Sequence, residues 1–322
     1  MPASLARLLL PFIAMSLLGA SPPTGTSSTP APLQVVDVMP AFWTVWNATT
    51  GKPISVRVDR FRKEVVDPNE SVYGLREFDH LLASDQRLAT YLESLEPLAD
   101  PMRTISTRID RQLPAIAQSV TNQLPGFSSD RIVIYFLPSL GHFVGQTHNI
   151  ENDKIAVMFG IDRTAAVYGA NANLGVEVAH ELFHIYQFET HPGERSDQEA
   201  LWQAIWVEGS AAYASQALIP GSTASQALNP ELAQTDAATI KVLACGIEAK
   251  WDSHDGDDMR AYLDAGVHQS NLPAMGGYLI GYLIAKDLAE TYSLADIAKL
   301  GGIELERLVR AGARGLCAPG TS

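Results

Sequence analysis

Cysteine is nearly absent: Cys245 and Cys317 are the only two in a chain of 322 residues. That pair can build neither a cysteine-lined metal cluster nor a disulfide-dense scaffold. It permits one bridge tying the end of the chain to its middle, and two buried thiols would satisfy the sequence as well. Charge is also sparse. Only 18% of residues are charged, and 36 acidic against 23 basic side chains leave a formal net charge of −13. With no Lys/Arg cluster to interrupt it, that balance argues against a nucleic-acid phosphate backbone and against an anionic membrane surface as partners. No apolar run is long enough to form a membrane span in the mature chain. Leu8 to Leu18 is too short and contains Pro11, and Pro273 to Tyr292 is interrupted by Lys286 and Asp287.

What is present centres on His180-Glu181-Leu182-Phe183-His184. On a helix, positions i and i+4 share a face, so two imidazoles can hold one zinc ion while the glutamate between them reaches the water that the ion activates. With 8 His in 322 residues, chance would supply this pattern ~0.01 times. Asn171 and Asn173 offer helix caps, apolar residues from Val176 to Ile185 surround the motif, and His191-Pro192-Gly193 ends the run. The reading is a buried helix carrying two histidines. Core histidines bonded to backbone would carry the same letters, but unpartnered polar groups in a core are costly, and a metal would partner both.

Catalytic zinc usually takes three protein ligands. The continuation that would place Gly and then His shortly after the second histidine fails here, since Gln187 to Thr190 intervene and Gly193 precedes Glu194. A glutamate on a following helix is the other solution. Ser196-Asp197-Gln198-Glu199 reads as a capping box opening a helix through Trp202, Trp206 and Glu208 to about Leu218, before Pro220-Gly221. Ala204, Gly209, Ala211 and Ala212 lie within a turn of Glu208 and would let two helices approach closely.

His180-Glu181-x-x-His184 followed by Trp206-x-Glu208-Gly209-x-Ala211-x-Tyr213 resembles the gluzincin zinc metallopeptidases. Within that clan the chain is most similar to the predicted zinc-dependent proteases of undefined substrate. Their Gly-Tyr-x-x-Gly-Tyr helix would here be Gly277 to Tyr282, and the resemblance covers roughly residues 130–290. It implies an α+β fold, a mainly helical zincin-like domain with a small sheet preceding the metal-binding helix. It also implies one Zn2+ held by His180, His184 and Glu208, with Glu181 as general base. Lys154 to Ile161 would be the sheet-edge strand that takes extended substrate by strand addition. Some gluzincins carry an acidic residue one turn after the glutamate ligand; here that position is Ala212. Tyr278 is the candidate to stabilise the developing oxyanion, because a phenol donates a hydrogen bond while neutral; Tyr213, Tyr282 and His268 are the substitutes.

Around this core, residues 1–20 read as a secretory signal and 21–32 as a flexible Ser/Pro/Thr-rich segment, so the expected location is secreted or periplasmic. The metallopeptidase domain would fill 33–322, with a scaffold to about 128, the catalytic core to about 292 and C-terminal helices beyond. Gln34 to Met39, Phe42 to Trp46 and Ile54 to Phe61 read as short strands or extended entry segments. Tyr73 to Gln123 reads as helices broken at Pro97 and Pro101, while Arg131 to Leu137 and Lys154 to Ile161 are the strongest strands. His80 reads as an ordinary histidine. His142 and His148 would be solvated loop residues or substrate contacts, and the aspartates from 252 to 258 form a solvated loop, the EF-hand pattern failing there.

The function these residues imply is an exported zinc metallohydrolase acting on a peptide or protein substrate. The alternative is a noncatalytic exported binding protein stabilised by metal on the same fold. No free-amine-recognising glutamate motif is apparent before the metal helix, which leans toward endopeptidase action.

Overall fold

The computed structural model describes residues 33–150, 153–191, 199–267, 269 and 271–318. The signal and flexible segments, Pro192 to Gln198 and His268 lie outside these. The fold is mainly helical α+β, with one four-stranded sheet preceding the metal-motif helix in the chain. Two compact units are formed. Among the described residues, one comprises Gln118–Phe127 and those from Gly175 onward, the other those from Leu33 to Ala117 with Ser128–Leu174.

The second of these contains the sheet. Strands β1 (Gln34–Asp37), β2 (Ile132–Leu137), β3 (Gly145–Ile150) and β4 (Lys154–Gly160) are ordered β1-β2-β4-β3. β2 pairs parallel with β1 and β4, and β3 pairs antiparallel with β4. The apolar run of β2, buried at every position, is what a central strand covered on both faces requires. Strand β4 has both of its sides paired, which corrects the expectation that Lys154 to Ile161 is the edge strand; the edge strands are β1 and β3.

The segments Phe42 to Trp46 and Ile54 to Phe61 are helical, not extended. They lie in α1 (Met39–Thr49) and α2 (Ile54–Phe61). In α1 the buried residues Met39, Phe42, Val45, Trp46 and Thr49 recur every three or four positions, so a helix buries them all on one side. There follow α3 (Glu70–Tyr73), α4 (Arg76–Leu82), α5 (Asp85–Ser94) and α6 (Ala99–Gln123). Pro97 sits in a short 3-10 turn before α6, whereas Pro101 lies in the first turn of α6, where its missing N–H removes no helical bond.

The loop from β2 to β3 is held by one carboxylate. Asp162, at the start of α7 (Ile161–Tyr168), is 2% exposed. It accepts from Ser139 N (2.6 Å), Ser139 Oγ (3.0 Å), Gly141 N (2.8 Å) and Tyr91 Oη (2.9 Å). Leu140 and Gly141 adopt left-handed φ values of 53° and 79°. A non-glycine residue holds that conformation only when its surroundings impose it, and Asp162 does so. Burial first, and the Asp162 charge second, push the hydroxyls of Tyr73 and Tyr91 well above the usual phenol range, so both remain donors. Replacing Asp162 by Ala leaves Ser139 N and Oγ, Gly141 N and Tyr91 Oη without this acceptor. The expected loss is about 3–5 kcal/mol of stability in denaturant unfolding; a change below ~1 kcal/mol would show that the loop does not depend on this carboxylate.

Neither loop histidine is solvated. His148 lies on β3 with Nε2 2.9 Å from Glu77 Oε1, and His142 packs against Phe78 with its Nε2 buried. Burial pushes the His142 imidazole below its usual range.

In the other unit, α8 (Leu174–Thr190) and α9 (Leu201–Leu218) precede α10 (Ala224–Ala227), α11 (Pro230–Ala233), α12 (Ala237–Ala249) and α13 (Gly256–Leu263). Then come α14 (Gly276–Leu288), α15 (Leu294–Lys299) and α16 (Gly302–Cys317). The disulfide Cys245–Cys317 ties α12 to α16, with Cα atoms 4.8 Å apart. The aspartates expected as a solvated loop serve α13: Asp255 caps it by accepting from Asp257 N and Asp258 N, and Asp258 pairs with Lys250 and Ser253. Among the described residues no helix is long and apolar enough to cross a membrane.

Candidate metal centre

Helix α8 is buried nearly all round, with Val176, Val178, Ala179, Leu182, Phe183, Ile185 and Tyr186 each at most 3% exposed. Glu177, His180, Glu181, His184 and Gln187 fall at helical spacing and share one stripe of it. The far end is anchored by Tyr186 Oη, which donates to Pro125 O at 2.9 Å.

Helix α9 brings the third residue. It begins at Leu201, later than the box expected at Ser196 to Glu199, whose first three residues are not described. Ala200 N donates to Gln203 Oε1 at 2.8 Å, and Leu201 N to Ser253 O at 2.8 Å, so the first turn is satisfied by its own glutamine and a neighbouring loop. Beyond Glu208, α9 crosses α14 almost backbone to backbone. A Cβ on Gly209 would lie 2.3 Å from Gly281 Cα, and one on Gly281 would lie 2.2 Å from Ile205 O. Only glycine on both helices allows that approach.

The result is a convergence of three ligand atoms. His180 Nε2 and His184 Nε2 are 2.9 Å apart, and Glu208 Oε2 is 3.4 Å from the first and 3.5 Å from the second. Three donors bound at ~2.0–2.2 Å in a tetrahedral shell would stand about 3.3–3.5 Å from one another; the two glutamate distances match that spacing for a zinc-sized cation, and the two histidine nitrogens stand closer than it. Two imidazole nitrogens facing each other this closely repel unless a proton or a cation lies between them. Among the described residues, this is the one group of three or more His, Cys, Asp or Glu that could hold a metal. Gln187 Nε2 donates to Ser210 Oγ at 3.4 Å, joining α8 to α9 beside the cluster, while His184 Nδ1 is buried without a hydrogen-bond partner among the described residues.

Electrostatics couple the three. Burial disfavours ionised Glu208, but the charges and hydrogen bonds of His184 and His180 outweigh it and hold this carboxyl far below the usual range. Burial equally disfavours charged His180; the hydrogen bond and charge of Glu208, with Glu181 and Glu177 behind, raise it nonetheless. In the absence of metal, ionised Glu208 and protonated His180 therefore stabilise the fold together. That stabilisation is lost as pH falls through the lowered Glu208 pKa, and again as pH rises through the raised His180 pKa. A metal competes with the His180 proton, so metal stabilisation grows with pH. The expected result is a larger Tm difference between zinc-loaded and chelator-treated protein at about pH 8 than at about pH 6. An equal difference at both would argue against histidine ligation.

The other candidates lie in the same unit. Glu181 is next to His180 on the open stripe of α8. Tyr278 is 5% exposed on α14, beside Gly277 and within a turn of the Gly281 crossing. Tyr282 donates its hydroxyl to Gln216 Oε1, and its ring packs 5.7 Å from that of Tyr213, so these two substitutes are engaged further along α9. The residue that the sequence reading passed over is Glu177. It stands one turn before His180, and burial, partly offset by His180 and reinforced by Glu181, pushes its carboxyl up to about 7. A spacing of i−3 from the first histidine was the available signal.

Residues 151–308 match the model of a family described as predicted Zn-dependent protease (DUF2268). The match supports a zinc protease-like family. It includes every residue of the cluster, together with Glu181 and Tyr278. No curated protein and no solved structure matches the chain.

Proposed function

We propose that this chain is an exported zinc metallopeptidase of the gluzincin kind, using His180, His184 and Glu208 as ligands to one zinc ion. The observation that carries the proposal is the convergence of two Nε2 atoms and one carboxylate oxygen from adjacent helices. Two histidines and a glutamate are a donor set suited to a hydrolytic zinc site with a position left open for substrate. Bound there, zinc would polarise a peptide carbonyl and acidify a water.

The protein's own residues have separate tasks. Glu181, adjacent to a ligand but not one of the three, takes the proton as water attacks the carbonyl and delivers it to the leaving amine. Tyr278 donates a hydrogen bond to the oxygen that gains charge. Export is supported by the Cys245–Cys317 bridge, which persists in an oxidising compartment.

The direct test incubates mature protein with unfolded protein substrates and short blocked peptides, with and without chelator. Cleavage that chelator abolishes and zinc restores is the expected outcome. A zinc-loaded protein that cleaves nothing on the panel would favour a metal-stabilised binding protein instead.

A further inference from the structure

Glu177 is not accounted for by the chemistry above. It lies on α8 three residues before His180, about 4.5 Å along the helix axis, on the stripe that carries Glu181 and His184. Its side chain is half-buried, and it makes no hydrogen bond or salt bridge with any described residue. A carboxylate withdrawn from water for a structural purpose is normally paired, because an unpaired one costs stability. Among the described residues the nearby charged groups are His180 and Glu181, and no Lys or Arg contributes to its environment.

The charge balance of the stripe points the same way. Three carboxylates, Glu177, Glu181 and Glu208, surround a site whose two histidines are neutral when they ligate a metal. A divalent cation held by His180, His184 and Glu208 leaves that face with one net negative charge. A single further cation would neutralise it.

Resting on the peptidase reading, we propose that Glu177 is a specificity-determining residue that receives an alkylammonium group of the substrate, a lysine side chain or a free α-amine, close to the scissile bond. The missing partner of Glu177 is then the substrate itself. One helical turn from the ligands is a suitable distance for a group within a residue or two of the reacting carbonyl.

Three metal-directed probes test this without requiring turnover: N-acetyl-lysine hydroxamate, norleucine hydroxamate with a free α-amine, and N-acetyl-norleucine hydroxamate, which carries no cation. Binding to zinc-loaded protein is measured by titration calorimetry, for the parent and for Glu177→Gln, with zinc content and Tm recorded for both. The parent is expected to bind one of the two cationic probes at least ~10-fold more tightly than the neutral one, as a charge-assisted contact would give. Which probe is preferred distinguishes side-chain from terminal amine. In Glu177→Gln that ratio should fall to near one, and Glu177→Asp should restore part of it. Equal affinities of the parent for all three probes would overturn the role of Glu177 while leaving the zinc site intact. A ratio that survives Glu177→Gln would likewise overturn it by locating the cation elsewhere. If none of the probes binds protein that contains zinc, the hydrolytic reading itself fails, and the role of Glu177 with it.

Discussion

Replacing Glu181 by Gln leaves zinc in place and lowers peptide hydrolysis by at least ~100-fold. The substitution keeps the size and polarity of the side chain but removes its ability to take a proton. Positioned general bases contribute roughly 100- to 10,000-fold, and Glu181 is assigned both the uptake of the proton from water and its delivery to the leaving amine. Because Glu181 is not one of the three converging residues, zinc content should match the parent. The measurement is kcat/KM on a peptide that the parent cleaves, beside zinc per chain for both proteins. Preserved hydrolysis would mean that another group moves the proton. Lost hydrolysis accompanied by lost zinc would mean that Glu181 supports the metal rather than the chemistry.

Replacing Glu208 by Ala should weaken zinc binding by more than ~100-fold, since the hydrogen-bond partners of metal ligands alone are commonly worth 10- to 100-fold and Glu208 is assigned as a ligand. The carboxylate is the anion against which both histidines are poised, with Oε2 at 3.4 Å and 3.5 Å from their Nε2 atoms. Without it two imidazoles remain, and the positive charge of the metal faces them uncompensated. Glu208→Gln keeps an oxygen in place but not the charge, so its affinity should lie between those of parent and Ala variant. Competition with a chromophoric chelator gives the affinities, and circular dichroism shows whether the helices persist. An Ala variant that binds zinc as the parent does would move the third ligand elsewhere.

Helix α8 and helix α9 were legible because their determinants are local. The two histidines are four apart, and a short-side-chain neighbourhood surrounds Glu208, so both helices and their ends could be placed within a few residues. Phe42 to Trp46 and Ile54 to Phe61 were not, because a short aromatic or β-branched run has no decisive period until it is known what buries it. Met39, Phe42, Trp46 and Thr49 form one face only once neighbouring helices define an inside. Strand β3 was hidden for a related reason. Gly145 to Ile150 contains few strand-favouring residues, and its pairing with β4 is what makes it a strand, so β4 looked like an edge. Glu177 was overshadowed by the motif three residues later, although the same helical spacing that joins His180 to His184 places it on their face. Asp162 gave no signal at all, as its four donors come from two segments distant from it in sequence, the loop at 139–141 and Tyr91 on α5.

Zinc per chain, determined by elemental analysis on purified mature protein, tests the central claim most directly. One zinc per chain is the predicted result, dropping to a small fraction in Glu208→Ala after the same dialysis. A parent chain that holds almost none after incubation with zinc would contradict the account, because the convergence of His180, His184 and Glu208 would then serve something other than a metal.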